Sequence, residues 1–260
     1  MASESSNEFT YCGDLVGVST LYANAPEEAY TLLSQFYNTA FRALEKYQLD
    51  GTGNVRIGRN IYMFSDSLIV TGDDTESFVK CMCDVYMSLL NASMLLRGGM
   101  VSGRLEFDPR RTRENFEKNL PRTERLAKAS ALEKSVKGAR FVVEPELAAS
   151  LIHPHRHWMT QQGYLGDLFN GRTFELQRSI SPLPTGGGFE ILYPVFLNVP
   201  YDNGVGPLRT DDDLLRRNIT RVDYLITASS PEAAVHYKET KRLLELSLLR
   251  RGHMAALEEQ

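Results

Sequence analysis

The sequence predicts an α/β sandwich, a sheet covered by helices, through about residue 150 of a 260-residue chain. Three observations carry that expectation. Strand-like runs alternate with runs of helical period, no internal repeat or low-complexity tract competes with the alternation, and 42% hydrophobic residues are ample for a core.

Taken in order, "EFTYCGDLVGVSTLY" is β-rich around Asp14. Pro26, Glu27 and Glu28 then open a helix, with proline in the first turn and acids at the positive end of the dipole. Running to about Tyr47, it sets Leu32, Leu33, Phe36, Ala40, Phe41 and Leu44 on one face, and "DGTGN" ends it. Val55 to Phe64 and Ser67 to Thr71 read as two strands hinged near Asp66. "GDD" and Glu76 begin the next helix, Glu76 in capping-box spacing from Asp73, with Phe78, Met82, Val85, Tyr86, Leu89 and Met94 along it. "RGGMVSGRLEF" is a further strand, Leu120 to Val136 a further helix, and "ARFVV" a closing strand. Beyond residue 150 the pattern is less regular. "RTFELQ" and "FEILYPVFLNV" are strand-like, "SPLPTGGG" separates them, and Ser230 with Pro231 starts a final helix containing Val235, Leu243, Leu244, Leu246 and Leu249. The expected organisation is one domain over 8–150 with an extension over 151–260 packed on it.

Charge and cysteine content exclude several function classes. With 29 basic and 33 acidic residues the formal net charge is -4, so no whole-protein basic field recommends DNA, RNA or an acidic membrane as partner. Three cysteines, Cys12, Cys81 and Cys83, fit a reducing compartment, and Cys81 and Cys83 lie too close along a helix to face each other. The start lacks a basic-then-apolar leader pattern and no apolar run has membrane-spanning length, so a cytoplasmic protein is expected.

One carboxylate stands inside each of two strand-like runs. Asp14 closes the first strand and is followed by Gly17, whereas Asp66 interrupts "IYMFSDSLIV". Two readings are open: turn or cap residues, or, if the strands are neighbours, a pair that repels itself unless a cation such as Mg2+ or Mn2+ lies between. Other suggestive signals are weaker. "HPHRH" at His153, His155 and His157 has no structural-zinc spacing, "TGGGF" lacks the residues of a phosphate loop, and Arg110, Arg111 and Arg113 read as a solvated loop.

"CGDLVGVSTLY", "YMFSDSLIVTGD", "LRGGMVSGRLEF" and "LAKASALEKSVKGARFVVEPEL", in this order and spacing, resemble the catalytic domain of class III nucleotidyl cyclases over residues 8 to 150. The chain is most similar to the stand-alone pyrimidine cyclases of the Pycsar antiphage systems, whose tail helix "HYKETKRLLEL" also resembles. The resemblance implies a ferredoxin-like core with a mixed, mainly antiparallel sheet. It implies two divalent ions, Mg2+ or Mn2+, on Asp14, Asp66 and the Leu15 carbonyl, with Gly17 in the substrate-binding turn. Tyr62 falls where adenylate cyclases place a base-reading lysine and guanylate cyclases a glutamate; its ring excludes a bicyclic purine and its hydroxyl can bond to a pyrimidine edge. The match fails at Ala127 and Ala131, where the family places an Asn and an Arg. Arg125 and Lys128 are the chosen substitutes, with Arg122 and Arg104 as further donors. The implied activity converts UTP, ahead of CTP, to the 3',5'-cyclic monophosphate and pyrophosphate in a head-to-tail homodimer, the product being read by a separately encoded effector. A catalytically inactive dimerisation or ligand-sensing module and an adenylate cyclase are the alternatives.

Overall fold

In the computed structural model the described residues are 8–49, 52–54, 56, 58–107, 112–113, 116–117, 121–151, 180–191 and 211–258. Strand β1 (Phe9–Leu15) leads through a turn into the short helix α1 (Val18–Asn24) and then α2 (Pro26–Gln48). A hairpin of β2 (Asn60–Phe64) and β3 (Ser67–Gly72) precedes α3 (Thr75–Asn91), β4 (Leu96–Ser102), a small hairpin of β5 (Thr112–Arg113) and β6 (Phe116–Glu117), and α4 (Arg125–Lys134). Then come β7 (Phe141–Val143), α5 over 145–151, β8 (Ile180–Pro182), β9 (Phe189–Ile191), α6 (Asp211–Ala228) and α7 (Pro231–Glu258).

Seven strands form one sheet in the order β2-β3-β1-β4-β7-β9-β8, antiparallel except for the β4–β7 pair. This is the mixed, mainly antiparallel α/β architecture expected. Strands β8 and β9, from residues beyond 150, complete the edge of the same sheet, with Gly186 and Gly187 of "TGGGF" in the turn between them. Among the described residues no helix is long and apolar enough to cross a membrane.

The two sheet faces have different jobs. Phe9, Tyr11, Leu68, Val70 and Met100 share a face and are buried in the main core with Phe36, Leu44, Phe78, Met82 and Leu89 of α2 and α3. Tyr11 lies across Gly13 and Gly98, where any side chain would collide with its ring, and its hydroxyl meets that of Tyr86 at 3.0 Å. On the other face α4 crosses β4 over Gly99. A Cβ there would strike the Ala129 carbonyl and come within 2.7 Å of the Glu133 amide nitrogen. Gly99→Ala should therefore cost about 1–3 kcal/mol by pushing α4 off the sheet, a loss that urea unfolding would register; an unchanged midpoint would mean that α4 is not seated there.

Several local expectations shift. Helix α2 matches its predicted span, but Phe41 is 61% exposed because it lies about 140° around the helix from Phe36, off the buried stripe. The cap of α3 is Asp74, whose carboxylate accepts from the Ser77 amide at 3.1 Å, and not Asp73. Asp73 and Asp74 both receive the buried Arg59 guanidinium, which also stacks on Tyr47. The β-rich reading stops at Leu15: "VSTLYAN" is helical. Strand β2 starts at Asn60, with Val55 outside the described residues, and α4 starts at Arg125, with Leu120 likewise outside. Arg113 sits in the β5–β6 hairpin, not a plain loop, and α6 has no counterpart in the expectations. Cys83 is buried and the Cys81 thiol donates to the Ala43 carbonyl, so both are packing residues. "HPHRH", "RTFELQ", Arg110 and Arg111 lie outside the described residues.

Candidate active site

Asp14, next to last in β1, stands opposite Ser67 of β3 and Arg97 of β4. Phe64 pairs with Ser67, which leaves Ser65 and Asp66 as a two-residue hairpin turn. Ser65 has φ 54, the positive value that a tight hairpin demands of its first central residue. The Leu15 amide donates to the Asp66 carbonyl at 3.0 Å and ties this turn to β1. Backbone pairing thus brings Asp14 and Asp66 to one end of the sheet.

The carboxylates feel each other. Burial, then the charge of Asp66, push the Asp14 carboxyl above the usual carboxylate range; Glu133 adds to the rise, while the Ser67 hydroxyl, donating to Oδ1 at 3.1 Å, and Arg97 oppose it. Half-buried like charges of this kind are relieved by a cation between them. The oxygen-only donor set of Asp14, Asp66 and the Leu15 carbonyl suits Mg2+ or Mn2+, which bind through one or two carboxylates and complete their shell with water and phosphate. Among the described residues no group of three or more His, Cys, Asp and Glu side chains is placed to hold a metal. A cation here would therefore need backbone, water and substrate oxygens as well.

The chain after Asp14 turns at once. Leu15 is buried, and Gly17, exposed at φ 90, sits in the left-handed region where glycine is unstrained and reverses the chain into α1. Tyr62 lies opposite Ile69, with its ring edge-on to Phe107 at 5.4 Å. It shares the face of Asp14 but lies two strands across and two residues along, roughly 12 Å away by ladder spacings. One chain does not bring Tyr62 to its own carboxylates.

Nor does it bring Arg125 or Lys128. Arg125 packs over Gly103, beyond the far end of β4 and roughly 20 Å along the strand from Arg97. Lys128 is exposed and bonds to Glu124 at 2.5 Å, on the same outer face of α4 as the exposed Ala127 and Ala131. Arg104 is engaged by Glu8 and Asp73.

Two residues that sequence reasoning missed flank the carboxylates. Arg97, the cross-strand partner of Asp14, donates to the buried Glu133 and to the Val136 carbonyl at 3.3 Å. An arginine opening a strand signals nothing by itself; the β1–β4 register is what sets it beside Asp14.

No family model and no curated protein matches the chain. Among solved structures it is similar to the adenylyl cyclase CyaB from P. aeruginosa, at 17% identity and TM-score 0.45, covering 56% of this chain and 80% of that one. It is also similar to the guanylate cyclase domain of RhGC from Catenaria anguillulae in complex with GTP, at 9% identity and TM-score 0.48, covering 72% and 96%. A third is the guanylyl cyclase Cya2, at 13% identity and TM-score 0.43, covering 55% and 77%. The structural neighbours are thus adenylyl and guanylyl cyclase domains.

Proposed function

We propose that the protein is a nucleotide cyclase acting on a pyrimidine triphosphate, UTP ahead of CTP. The observation that carries the reading is the Asp14–Asp66 pair at one sheet end, each carboxylate held by backbone pairing and the two repelling one another. Asp14, Asp66 and the Leu15 carbonyl would hold Mg2+ or Mn2+, whose chemistry when bound is to neutralise the triphosphate and lower the pKa of the ribose hydroxyl. The 3'-oxygen attacks the α-phosphorus in line, its proton passes to water, and the bond to pyrophosphate breaks. Arg97, on the same face and paired with Glu133, would share its charge with the phosphates.

The separation of Tyr62 from its own Asp14 favours a site shared between two copies, one giving Asp14 and Asp66 and the other Tyr62. Phe64 is 81% exposed on the same face and is available to such a partner. In that arrangement Arg125 would stand in for the absent Asn and Arg as the catalytic cation, with Lys128, beside Ala127 and Ala131, binding the substrate. The product would signal to a separately encoded effector in an antiphage system.

Incubation with ATP, GTP, CTP and UTP separately, with Mn2+ present and an Asp66→Ala control, tests the reading by mass spectrometry. A cyclic pyrimidine nucleotide that vanishes in the control is the expected result, and Tyr62→Lys should shift the base preference away from pyrimidines. A preference left unchanged by Tyr62→Lys removes the reason for choosing a pyrimidine and returns the adenylate alternative. The exposed alanines at 127 and 131 favour a second reading, an inactive dimerisation or ligand-sensing module. Absence of product from all four nucleotides would select it.

A further inference from the structure

The extension reaches the carboxylate end of the sheet. A partly open cavity of about 200 Å3 lies between the turn that follows Asp14 and the start of α7; its lining is mostly apolar, Leu15 and Val18 included, and Gly17, Ser93, His236 and Tyr237 bring polar groups to it. Its volume is several times the ~30 Å3 share of one water molecule, enough for a diphosphate group. His236 is fixed there: its Nδ1 accepts from the Gly138 amide at 3.1 Å. Thr240, one turn further along α7, accepts from the Ala139 amide at 2.9 Å, so α7 is held to the α4–β7 turn at two successive points.

That hydrogen bond fixes the tautomer. With Nδ1 accepting, a neutral imidazole carries its proton on Nε2, and Nε2 has no hydrogen-bond partner among the described residues. Burial, followed by the nearby positive charges of Arg97 and Lys137, holds the imidazole below its ordinary value. The charges of Arg97 and Lys137 both reach the His236 ring, and Arg97, whose donors serve Glu133 and the Val136 carbonyl, is also the cross-strand partner of Asp14.

We propose that His236 of the C-terminal extension is a substrate-contacting residue, its Nε2 donating to the diphosphate end of the nucleotide in the cavity beside Gly17. The inference rests on the nucleotide-cyclase reading and adds to it a residue that the extension supplies. It also gives α7 a role other than packing: the helix completes the phosphate side of the site, with Arg97 and Lys137 adding long-range attraction for an anion.

Two substitutions separate contact from scaffold. In His236→Asn the amide oxygen can take over the bond from the Gly138 amide while the Nε2 donor is deleted; in His236→Gln the side-chain nitrogen reaches the Nε2 position while the Gly138 bond is lost. Calorimetric titration of the full chain with pyrophosphate in the presence of Mn2+ should show binding by the wild type. His236→Asn should weaken it by about 10-fold or more, as expected for loss of a hydrogen bond to a charged group, with Tm nearly unchanged. His236→Gln should lower Tm and keep most of the affinity. With the nucleoside triphosphate that the wild type cyclises as substrate, His236→Asn should raise KM more than it lowers kcat. Wild-type affinity in His236→Asn, or no pyrophosphate binding by the wild type, would overturn the proposal. If pyrophosphate binding depends on His236 but no nucleotide is cyclised, the anion site stands and the cyclase reading falls. If cyclisation proceeds and His236→Asn is indifferent, the reverse holds.

Discussion

Asp66→Asn should abolish cyclic-nucleotide formation, by about 10^3-fold or more, without unfolding the protein. The magnitude is that of removing preorganised charge stabilisation from a phosphoryl-transfer site. The stability sign follows from Asp14. Asp66 is the second-largest cause, after burial, of the upward shift of the Asp14 carboxyl, so an uncharged residue at 66 relieves repulsion and the metal-free variant should melt no lower than the wild type. Its backbone carbonyl still accepts from the Leu15 amide, which keeps the turn docked on β1. Mn2+ supplies a second readout: a ligand that binds only the folded state raises Tm with concentration, so the wild type should be stabilised by Mn2+ and Asp66→Asn much less. Retained turnover in Asp66→Asn, or an equal Mn2+ shift in both proteins, would remove the carboxylate pair from the site. Mixing chains mutated at Asp66 with chains mutated at Tyr62 extends the test: a shared site predicts activity in the mixture that neither variant has alone, and mixed dimers without turnover would refute it.

The largest stability effect is expected at Glu190. This carboxylate is fully buried and receives Arg140 through Nε at 2.8 Å and a second nitrogen at 2.5 Å, together with Arg242 at 3.0 Å and 3.2 Å. Arg242 also donates to Glu239 at 3.0 Å. Glu190 lies on β9, Arg140 just before β7 and Arg242 on α7, so one residue joins β7, β9 and the last helix. Glu190→Ala leaves a buried guanidinium with its main partner gone and should cost about 3–5 kcal/mol, measured by urea unfolding. Replacing Arg140 and Glu190 together by methionine should recover much of that loss, because the cost lies in the uncompensated charge and not in absence of the pair. A Glu190→Ala protein as stable as the wild type would mean that the extension is not fastened to the sheet in this way. The same fastening sets His236 beside the turn after Asp14, so Glu190→Ala should also weaken pyrophosphate binding.

Local chemistry made much of this protein legible from its sequence. Pro26 with Glu27 and Glu28 marks the start of α2, the stripe from Leu33 to Leu44 gives its buried face, and Pro231 opens α7, because each signal acts within a few turns of helix. Asp14 and Asp66 were visible for a similar reason: a carboxylate in a run of strand-forming residues conflicts with its surroundings, and the conflict can be read without knowing the fold. What stayed hidden depends on contacts between distant segments. The α1 segment begins with β-branched residues, and the turn at Gly17 together with packing against α2 overrides that preference. Asp74 and not Asp73 caps α3, a one-residue difference in a segment where both aspartates also serve Arg59.

The site divides along the same line. Residue type and spacing alone determined that two aspartates interrupt strand-like runs, whereas Tyr62, an ordinary strand former, stood out only through the resemblance to class III cyclases. The tertiary structure alone decided that Arg97 stands opposite Asp14, that Glu133 holds it, that Tyr62 is too far from its own carboxylates, and that His236 comes from the far end of the chain to wall the turn beside Gly17. The physical reason is register. Strand pairing and helix docking are set by the summed burial of many side chains, so the neighbours of one polar group are fixed by a global optimum that no short stretch of sequence contains.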